Sequence, residues 1–380
     1  MTAKYKRGKG STPTQAKPHG QRWWHTPIII VIGLLVYVPS LRNGFTNWDD
    51  QEYITANRDL SDASLHKHFV EKPEVMGNYH PITMLSLAWS HGLAMDPRTG
   101  ALDAHVFHLT DLVIHLLSGL LVYLLIFHLR GDGLIALGTS LLFVVNPMHV
   151  ESVAWASERK DVLYVFFLLL ALLCYTFHLR SERPWWLLST LILFVMALLS
   201  KAMAVSLVPV LFLIDFHQGR KWTWRALAEK LPFIALALWA GLRAIAAQDA
   251  FGSIQDAGTY ALWQRTLFGC YGLSFYVLKF FWPSGLSAFH AYPDPGIPLP
   301  WPYWTAPLFV AGCVFLVWRT RKDRDLLFGA GFFFFTVVHV LQLLAVGGAV
   351  VAERFTYLPY VGLGFAWCAL FKRTMAEHPR

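Results

Sequence analysis

Apolar runs long enough to cross a bilayer recur from Thr26 to the C-terminal end of the chain, broken by polar turns and loops. In hydrocarbon, every backbone N–H and C=O must find its partner within the chain, so such runs fold as helices packed into a bundle. The pattern predicts an all-α polytopic membrane protein with about eleven transmembrane helices. Composition agrees. Charged residues make up 15% of the 380, whereas a soluble domain carries about 25%. The formal net charge of +8 is read as a topology signal, not as a nucleic-acid footprint. The bases cluster before the first run (Lys4, Lys6, Arg7, Lys9, Lys17, Arg22) and in short turns, as a cytoplasmic positive bias requires.

Residues 1–25 are polar and rich in Gly, Pro and Lys, and read as a disordered basic cytoplasmic tail. They lack the small-residue cleavage site of a signal peptide, so the first span is expected to be an uncleaved anchor. Residues 26–371 form the transmembrane domain, and 372–380 a short polar tail. Within the domain, 43–104 is the longest polar segment. Its acids (Asp49, Asp50, Glu52, Asp59, Asp62, Glu71, Glu74, Asp96, Asp103) outnumber its bases (Arg58, Lys67, Lys72, Arg98). That balance places it outside the cytoplasm. Asp59–Val70 is expected to be a short helix lying along the surface.

Later in the chain the charge rule conflicts with the span count. Eleven crossings from an inner N-terminus leave Arg319–Arg324 and the C-terminus outside. Bringing that basic turn and Lys372-Arg373 inside needs one more crossing, or a re-entrant piece, between about residues 230 and 304. Cys174, Cys270, Cys313 and Cys368 lie far apart inside apolar segments, which indicates neither a disulfide framework nor a zinc site.

Polar groups at membrane depth are costly and usually functional. By this topology the outer ends of several spans bring Asp49, Asp50, His149, Glu151, Glu158, Arg159, Lys160, Asp161 and Lys201 to one face. Acids and bases at one bundle mouth suit a phosphate-bearing head group. A carboxylate can take the proton of an incoming hydroxyl, and Lys and Arg can neutralise a leaving phosphate. Plainer readings stand beside this one. Asp49 and Asp50 can be helix caps, residues 158–161 a solvated charge run, Lys201 a snorkelling lysine, and Glu353-Arg354 a local ion pair. His149 and Glu151, spaced i, i+2, do not share a helical face and make a poor metal pair. His105, His108 and His115 read as packed, hydrogen-bonded histidines.

Five motifs follow one another in order: F-T-N-W-D-D-Q-E-Y-I-T-A-N, Y-H-P-I-T-M-L-S, N-P-M-H-V-E-S-V-A-W-A-S-E-R-K-D-V-L, L-L-S-K-A-M-A-V and V-A-E-R-F-T-Y-L-P-Y-V-G-L. As an ordered set they resemble the membrane half of the transmembrane and tetratricopeptide-repeat O-mannosyltransferases and their bacterial relatives, within the GT-C superfamily. The resemblance implies a GT-C-like bundle with a long first external loop carrying short surface helices. It also implies transfer of a sugar from a polyprenyl-phosphate carrier to an acceptor hydroxyl on the non-cytoplasmic face, in a bacterial inner membrane.

By resemblance, Asp49 or Asp50 is the base. His80, His149, Glu151, Arg159, Lys160, Lys201, Glu353, Arg354 and Tyr357 are the candidates for binding substrate. Lys160, Lys201 and Arg354 would meet the carrier phosphate, while His80 stands where relatives commonly have Arg. No metal ligands are assigned, and a divalent ion stays open. The tetratricopeptide half has no counterpart here. The acceptor is therefore expected to be a lipid or glycan, or a protein recognised through a partner. A flippase of lipid-linked sugar and a non-catalytic scaffold are the alternatives.

Overall fold

The computed structural model describes residues 22–71, 74–253, 259–343 and 347–377. Most of the expected basic tail, Lys72, Asp256 and the last three residues lie outside that range. Helices dominate. Two short antiparallel strand pairs, the hairpin Glu74–Val75 with Asn78–Tyr79 and the long-range pair His290–Ala291 with Ala349–Val351, are the strands among the described residues.

The long helices begin and end where their sequences provide caps. Asp103 accepts from His105 N at 2.9 Å and starts α3 (Ala104–Arg130). Gly131, at φ 74°, ends it in the left-handed conformation that a residue without Cβ adopts without strain. The carboxylate of Asp132 then accepts from Leu134 N and Ile135 N and starts α4 (Gly133–Val144). Around α3 and α4 pack α1 (His25–Tyr37), α6 (Arg159–Ser181) and α14 (Tyr360–Glu377), with α7 (Pro184–Leu198) and α8 (Leu207–His217) against α6, and together they enclose the largest apolar core. Next to α14 runs α13 (Arg324–Val337). The two approach closely because both carry glycine at the crossing. A Cβ on Gly329 would stand 2.6 Å from Gly362 O, closer than a side chain tolerates.

Five helical stretches are long and apolar enough to cross a membrane: His25–Arg42, Ala104–Arg130, Ala156–Ser181, Trp224–Ala250 and Trp301–Arg319. A sixth forms if Gly133–Val144 and Pro147–Ala154, bent by 52°, count as one broken span. Pro184–Leu198 and Ala202–His217 are apolar but shorter. These stand where about eleven crossings were expected. The expected surface helix over 59–70 is instead two short helical turns, Arg58–Ser61 and Lys67–Glu71.

The apolar stretch near 262–282 behaves differently from the rest. α11 (Leu262–Phe281) and α12 (Trp301–Arg319) run side by side in the same direction. Phe268 and Tyr271 meet Tyr303 at 5.6 and 4.3 Å, and Ser274 Oγ donates to Ala306 O at 3.4 Å. Phe281 ends α11 beside Trp367, two turns into α14. The chain then returns, so that His290 meets Glu353 just before α14 begins. α11 therefore ends beside α14, and the chain folds back toward the start of that helix. This return lies in the stretch between about residues 230 and 304, where the charge rule asked for one more crossing or a re-entrant piece. It brings the basic turn after α12 to the end where α3 and α8 finish. There Arg130 pairs with Asp325 at 2.7 Å, and Arg373 of α14 pairs with Asp323.

Candidate active site

At the other end of the bundle, the chain leaves α1 through the turn Val38–Arg42 and bends back at Thr46. Thr46 N and Thr46 Oγ1 donate to Asp50 Oδ2 at 2.8 and 3.0 Å, and Ser157 N donates to Asp50 Oδ1 at 2.9 Å. Asp50 is fully buried and both its oxygens are engaged. It ties the first loop to the entry of α6, a structural task.

The tie presents its neighbour. The Asp49 side chain is 24% exposed, and its carboxylate lies 3.9 Å from Lys160 Nζ. Burial pushes the Asp49 carboxyl above the usual carboxylate range. Lys160 opposes that rise, and nearby Glu158 adds to it. Of the adjacent pair, Asp49 is the one placed to exchange a proton.

The run Glu158-Arg159-Lys160-Asp161 is buried, not solvated. Because it starts a helix, successive side chains diverge. Arg159 turns away from Asp49. It pairs with Asp111, which is also buried, and donates to Ser90 Oγ at 2.9 Å and Phe107 O at 3.0 Å. The expectation that Arg159 binds substrate is therefore corrected: its donors are spent on fixing α6 to α3 and α2 (Pro81–Ala94). Arg159→Met should destabilise the fold by about 3–5 kcal/mol, because it leaves the Asp111 carboxylate buried without a partner. Adding Asp111→Leu should recover most of the loss. Thermal melting of the purified single and double variants checks this.

Glu158 turns inward, 1% exposed, and serves as a hub for three cations. Lys160 Nζ lies 3.0 Å and Arg354 Nε 3.5 Å from its Oε1, and Lys201 Nζ lies 3.7 Å from its Oε2. Each cation has a further acid. Lys201 also pairs with Asp161, which accepts from Ser152 Oγ at 3.1 Å. Arg354 pairs with Glu151 through both its guanidinium and its backbone N. The short turn at Ser200-Lys201 is thus anchored, and Lys201 does not snorkel. Lys201 and Arg354 keep 16% and 22% of their side chains exposed and form a rim with Asp49. Aromatic rings border it. Trp48 sits 5.9 Å from Trp155 and 6.1 Å from Phe289, and the Arg354 guanidinium lies 5.7 Å from the Trp155 ring.

Several buried polar atoms around this hub have hydrogen-bonding capacity that the chain itself does not use: Trp155 Nε1, Ser157 Oγ, Glu158 Oε2 and His80 Nε2. His80 stacks on Tyr53 at 5.4 Å, and the Lys160 ammonium lies 4.5 Å from the other partner in that stack, the Tyr53 ring. Burial, with Lys160 and Lys201 adding to it, holds the His80 pKa down to about 3. The imidazole is therefore neutral at pH 7 and adds no charge to the cation cluster.

Three further candidates face elsewhere. Tyr357 is buried, its hydroxyl 2.8 Å from His115 Nδ1. His149 packs between Tyr357 and Tyr360, with Nδ1 2.9 Å from Phe143 O. Both are corrected from substrate-binding to core positions, because their polar atoms point into the aromatic layer between α3, α4 and α14. Glu353 does not pair with Arg354. It accepts from Ser287 N at 2.9 Å and meets His290 Nε2 at 3.0 Å, holding the loop after α11 against the site. The sequence reading left out Asp111, although a lone acid inside an apolar helix signals a buried partner. His105 and His108 bond to Leu41 O and Gly44 O. Among the described residues no group of three or more His, Cys, Asp or Glu could hold a metal; the positive charge beside Asp49 comes from side chains.

No family model matches the chain. Protein O-mannosyl-transferase TMTC2 of Mus musculus is 29% identical over 205 residues, covering 49% of this chain and 24% of that protein. Protein O-mannosyl-transferase Tmtc1 of Drosophila melanogaster is 28% identical over 193 residues, 48% of this chain and 22% of that protein. Human Protein O-mannosyl-transferase TMTC4 is 23% identical across 93% of this chain and 56% of its own length. The chain thus spans about a sixth to about half of the length of the curated relatives it matches. Among solved structures, the oligosaccharyltransferase of Archaeoglobus fulgidus tethered to an acceptor peptide superposes with a TM-score of 0.50 at 13% identity. It covers 94% of this chain and 51% of that one, a likeness of fold. The chain resembles the glycosyltransferases of the GT-C superfamily and, within them, the membrane part of the protein O-mannosyl-transferases.

Proposed function

We propose that the chain is a membrane glycosyltransferase that moves a sugar from a polyprenyl-phosphate carrier to an acceptor hydroxyl, at the non-cytoplasmic mouth formed by Asp49, Lys160, Lys201 and Arg354. The observation that carries this reading is a half-buried carboxylate of raised proton affinity on the rim of a shared cation cluster. Asp49 takes the acceptor proton as the new bond to the anomeric carbon forms. The bond from that carbon to the carrier phosphate breaks, its electron pair leaves on the phosphate oxygen, and the rim cations meet that charge. The configuration inverts. The acids that already hold those cations fix their position before substrate arrives, so little reorganisation is needed at the moment of transfer.

A groove of about 780 Å³ between α11 and α12 supports a lipid carrier. Phe275, Phe281, Trp282, Trp301 and Phe309 line it, with Lys279 among them. Phe275 also meets His290 at 5.2 Å, and His290 meets Glu353, the neighbour of Arg354. An isoprenoid tail in the groove would bring its phosphate toward the rim. On this reading the basic turns face the cytoplasm, residues 26–371 form one catalytic domain, and a protein acceptor is recognised with the help of a partner. The assay is transfer of radiolabelled sugar from polyprenyl-phosphate sugars to membrane acceptors by the purified chain in nanodiscs. Covalent product supports the reading. Sugar flux across proteoliposomes without product contradicts it and favours transport.

A pH profile follows from the site. Transfer needs ionised Asp49, so kcat/KM should fall as pH drops through a pKa above the usual value of about 3.9. The Lys160 ammonium holds that pKa down. Lys160→Met should therefore move the acid limb to higher pH. An acid limb unchanged or moved to lower pH would separate Asp49 from the proton transfer.

A further inference from the structure

The end of the bundle opposite Asp49 carries a second charged recess. α6 alone, with 23 residues, separates the two by about 35 Å. The recess is a cavity of about 1040 Å³ enclosed by the last turns of α3, α6 and α8, the turn before α13 and the end of α14. Its wall is strongly basic. Part of that charge is neutralised inside the protein: Arg130 pairs with Asp325, Arg220 with Glu229 at 2.7 Å, and Arg373 with Asp323. Those pairs use three of the four acids in the wall, and the fourth is Glu182. Arg180, Lys322 and Arg324 also line the cavity, and among the described residues none of them has a carboxylate partner.

Two of these three are held in place. Arg180 donates to His128 O at the end of α3. The Arg324 guanidinium lies 5.8 Å from the Phe216 ring and rests against the backbone of Gly219. A Cβ at Gly219 would stand 2.8 Å from Arg324 Nη1, and Gly219 has φ 69°, so the glycine makes the seat in which the guanidinium lies. A bias toward basic turns explains cations at this end, but it explains neither a concave wall nor guanidinium groups fixed without acids. Planar donors held in advance lose little freedom on binding and match the oxygens of a phosphate.

We infer that this recess binds a phosphoryl group, carried either by an anionic phospholipid of the adjoining leaflet or by a soluble phosphate compound. Arg180, Lys322 and Arg324 are the contacts. Basic recesses between helix ends are suited to phospholipid head groups. The site lies a bundle-length from Asp49 and does not depend on the transfer reading.

The test uses the full chain in neutral detergent with two probes. Cardiolipin retention is read by native mass spectrometry, and inorganic pyrophosphate binding by calorimetry. At least one probe should bind. Cardiolipin alone assigns the site to lipid, pyrophosphate alone to a soluble ligand, and binding of both with mutual competition to the shared phosphoryl group. Arg180→Gln with Arg324→Gln should weaken binding at least about tenfold, a loss of one decade in Kd. Lys322→Gln, in an exposed turn, should weaken it less. Gly219→Ala keeps every charge but displaces Arg324, and it should also weaken binding. Binding of neither probe to the wild-type chain overturns the inference, as does equal binding by wild type and all three variants. If only the charge-removing variants weaken binding and Gly219→Ala does not, attraction is diffuse and the seated site is refuted. Melting temperatures within a few degrees of wild type confirm that each variant compared is folded.

Discussion

Asp49→Asn should reduce sugar transfer by about a hundredfold or more while the protein keeps its melting temperature. A positioned general base contributes about 10²–10⁴ in rate, and asparagine has the shape of aspartate without its proton affinity. Fold should survive because Asp49 is partly exposed, and its contact to Lys160 is long, at 3.9 Å. Lys160 keeps Glu158 as its nearer partner, at 3.0 Å. Asp50→Asn should do the reverse. It replaces an acceptor oxygen that takes the Ser157 N–H or the two Thr46 donors. The first consequence is a lower melting temperature, and any loss of transfer follows from a displaced loop. Measuring both variants for transfer and melting separates the roles of two neighbouring acids that the sequence alone leaves equivalent. Comparable transfer by Asp49→Asn and wild type would remove Asp49 from the mechanism.

Glu158→Gln should be the most damaging single change at the mouth. Its carboxylate is shared by Lys160, Lys201 and Arg354, and glutamine leaves three cations close together without their common counter-charge. Breaking a buried ion pair from one side costs about 3–5 kcal/mol. Asp161 and Glu151 still hold Lys201 and Arg354, so the expected loss lies near the lower figure, about 3 kcal/mol. Transfer should fall with it, since the cations then repel one another away from the rim. Glu158→Asp, which keeps the charge on a shorter arm, should recover stability in part. Thermal melting and the transfer assay on the same preparations check this. A Glu158→Gln protein as stable and active as wild type would show that the cluster is not held together by its central acid.

Much of the fold was legible because periodic apolar runs and capping acids such as Asp103 and Asp132 are local signals. One more crossing or a re-entrant piece was expected between about residues 230 and 304, and in that stretch α11 ends beside α14 and the chain turns back. Apolar composition does not distinguish such a return from a crossing, because both bury the same kind of surface.

The mouth was legible as a set of residues but not as roles. Sequence order brought Asp49, Glu151, Glu158, Lys160, Asp161 and Lys201 to one face, and the structure brings the same residues together with Arg354 from far along the chain. Which way each side chain turns depends on helical phase at the start of α6, where Lys160 faces the mouth and Arg159 faces Asp111. Tyr357 and His149 were misassigned for a similar reason. A motif carries their identity, but only packing reveals that they bond to His115 and Phe143 inside the bundle.

The most direct test of the central claim is a cryo-electron-microscopy structure of the chain in nanodiscs with a polyprenyl-phosphonate sugar, whose carbon link cannot be cleaved. The account predicts the phosphonate at Lys201 and Arg354, the polyprenyl chain in the α11–α12 groove, and the Asp49 carboxylate on the face of the anomeric carbon opposite the phosphonate. A sugar bound at the basic end of the bundle, or a donor at the mouth with Asp49 on the same face as its phosphonate, would contradict it.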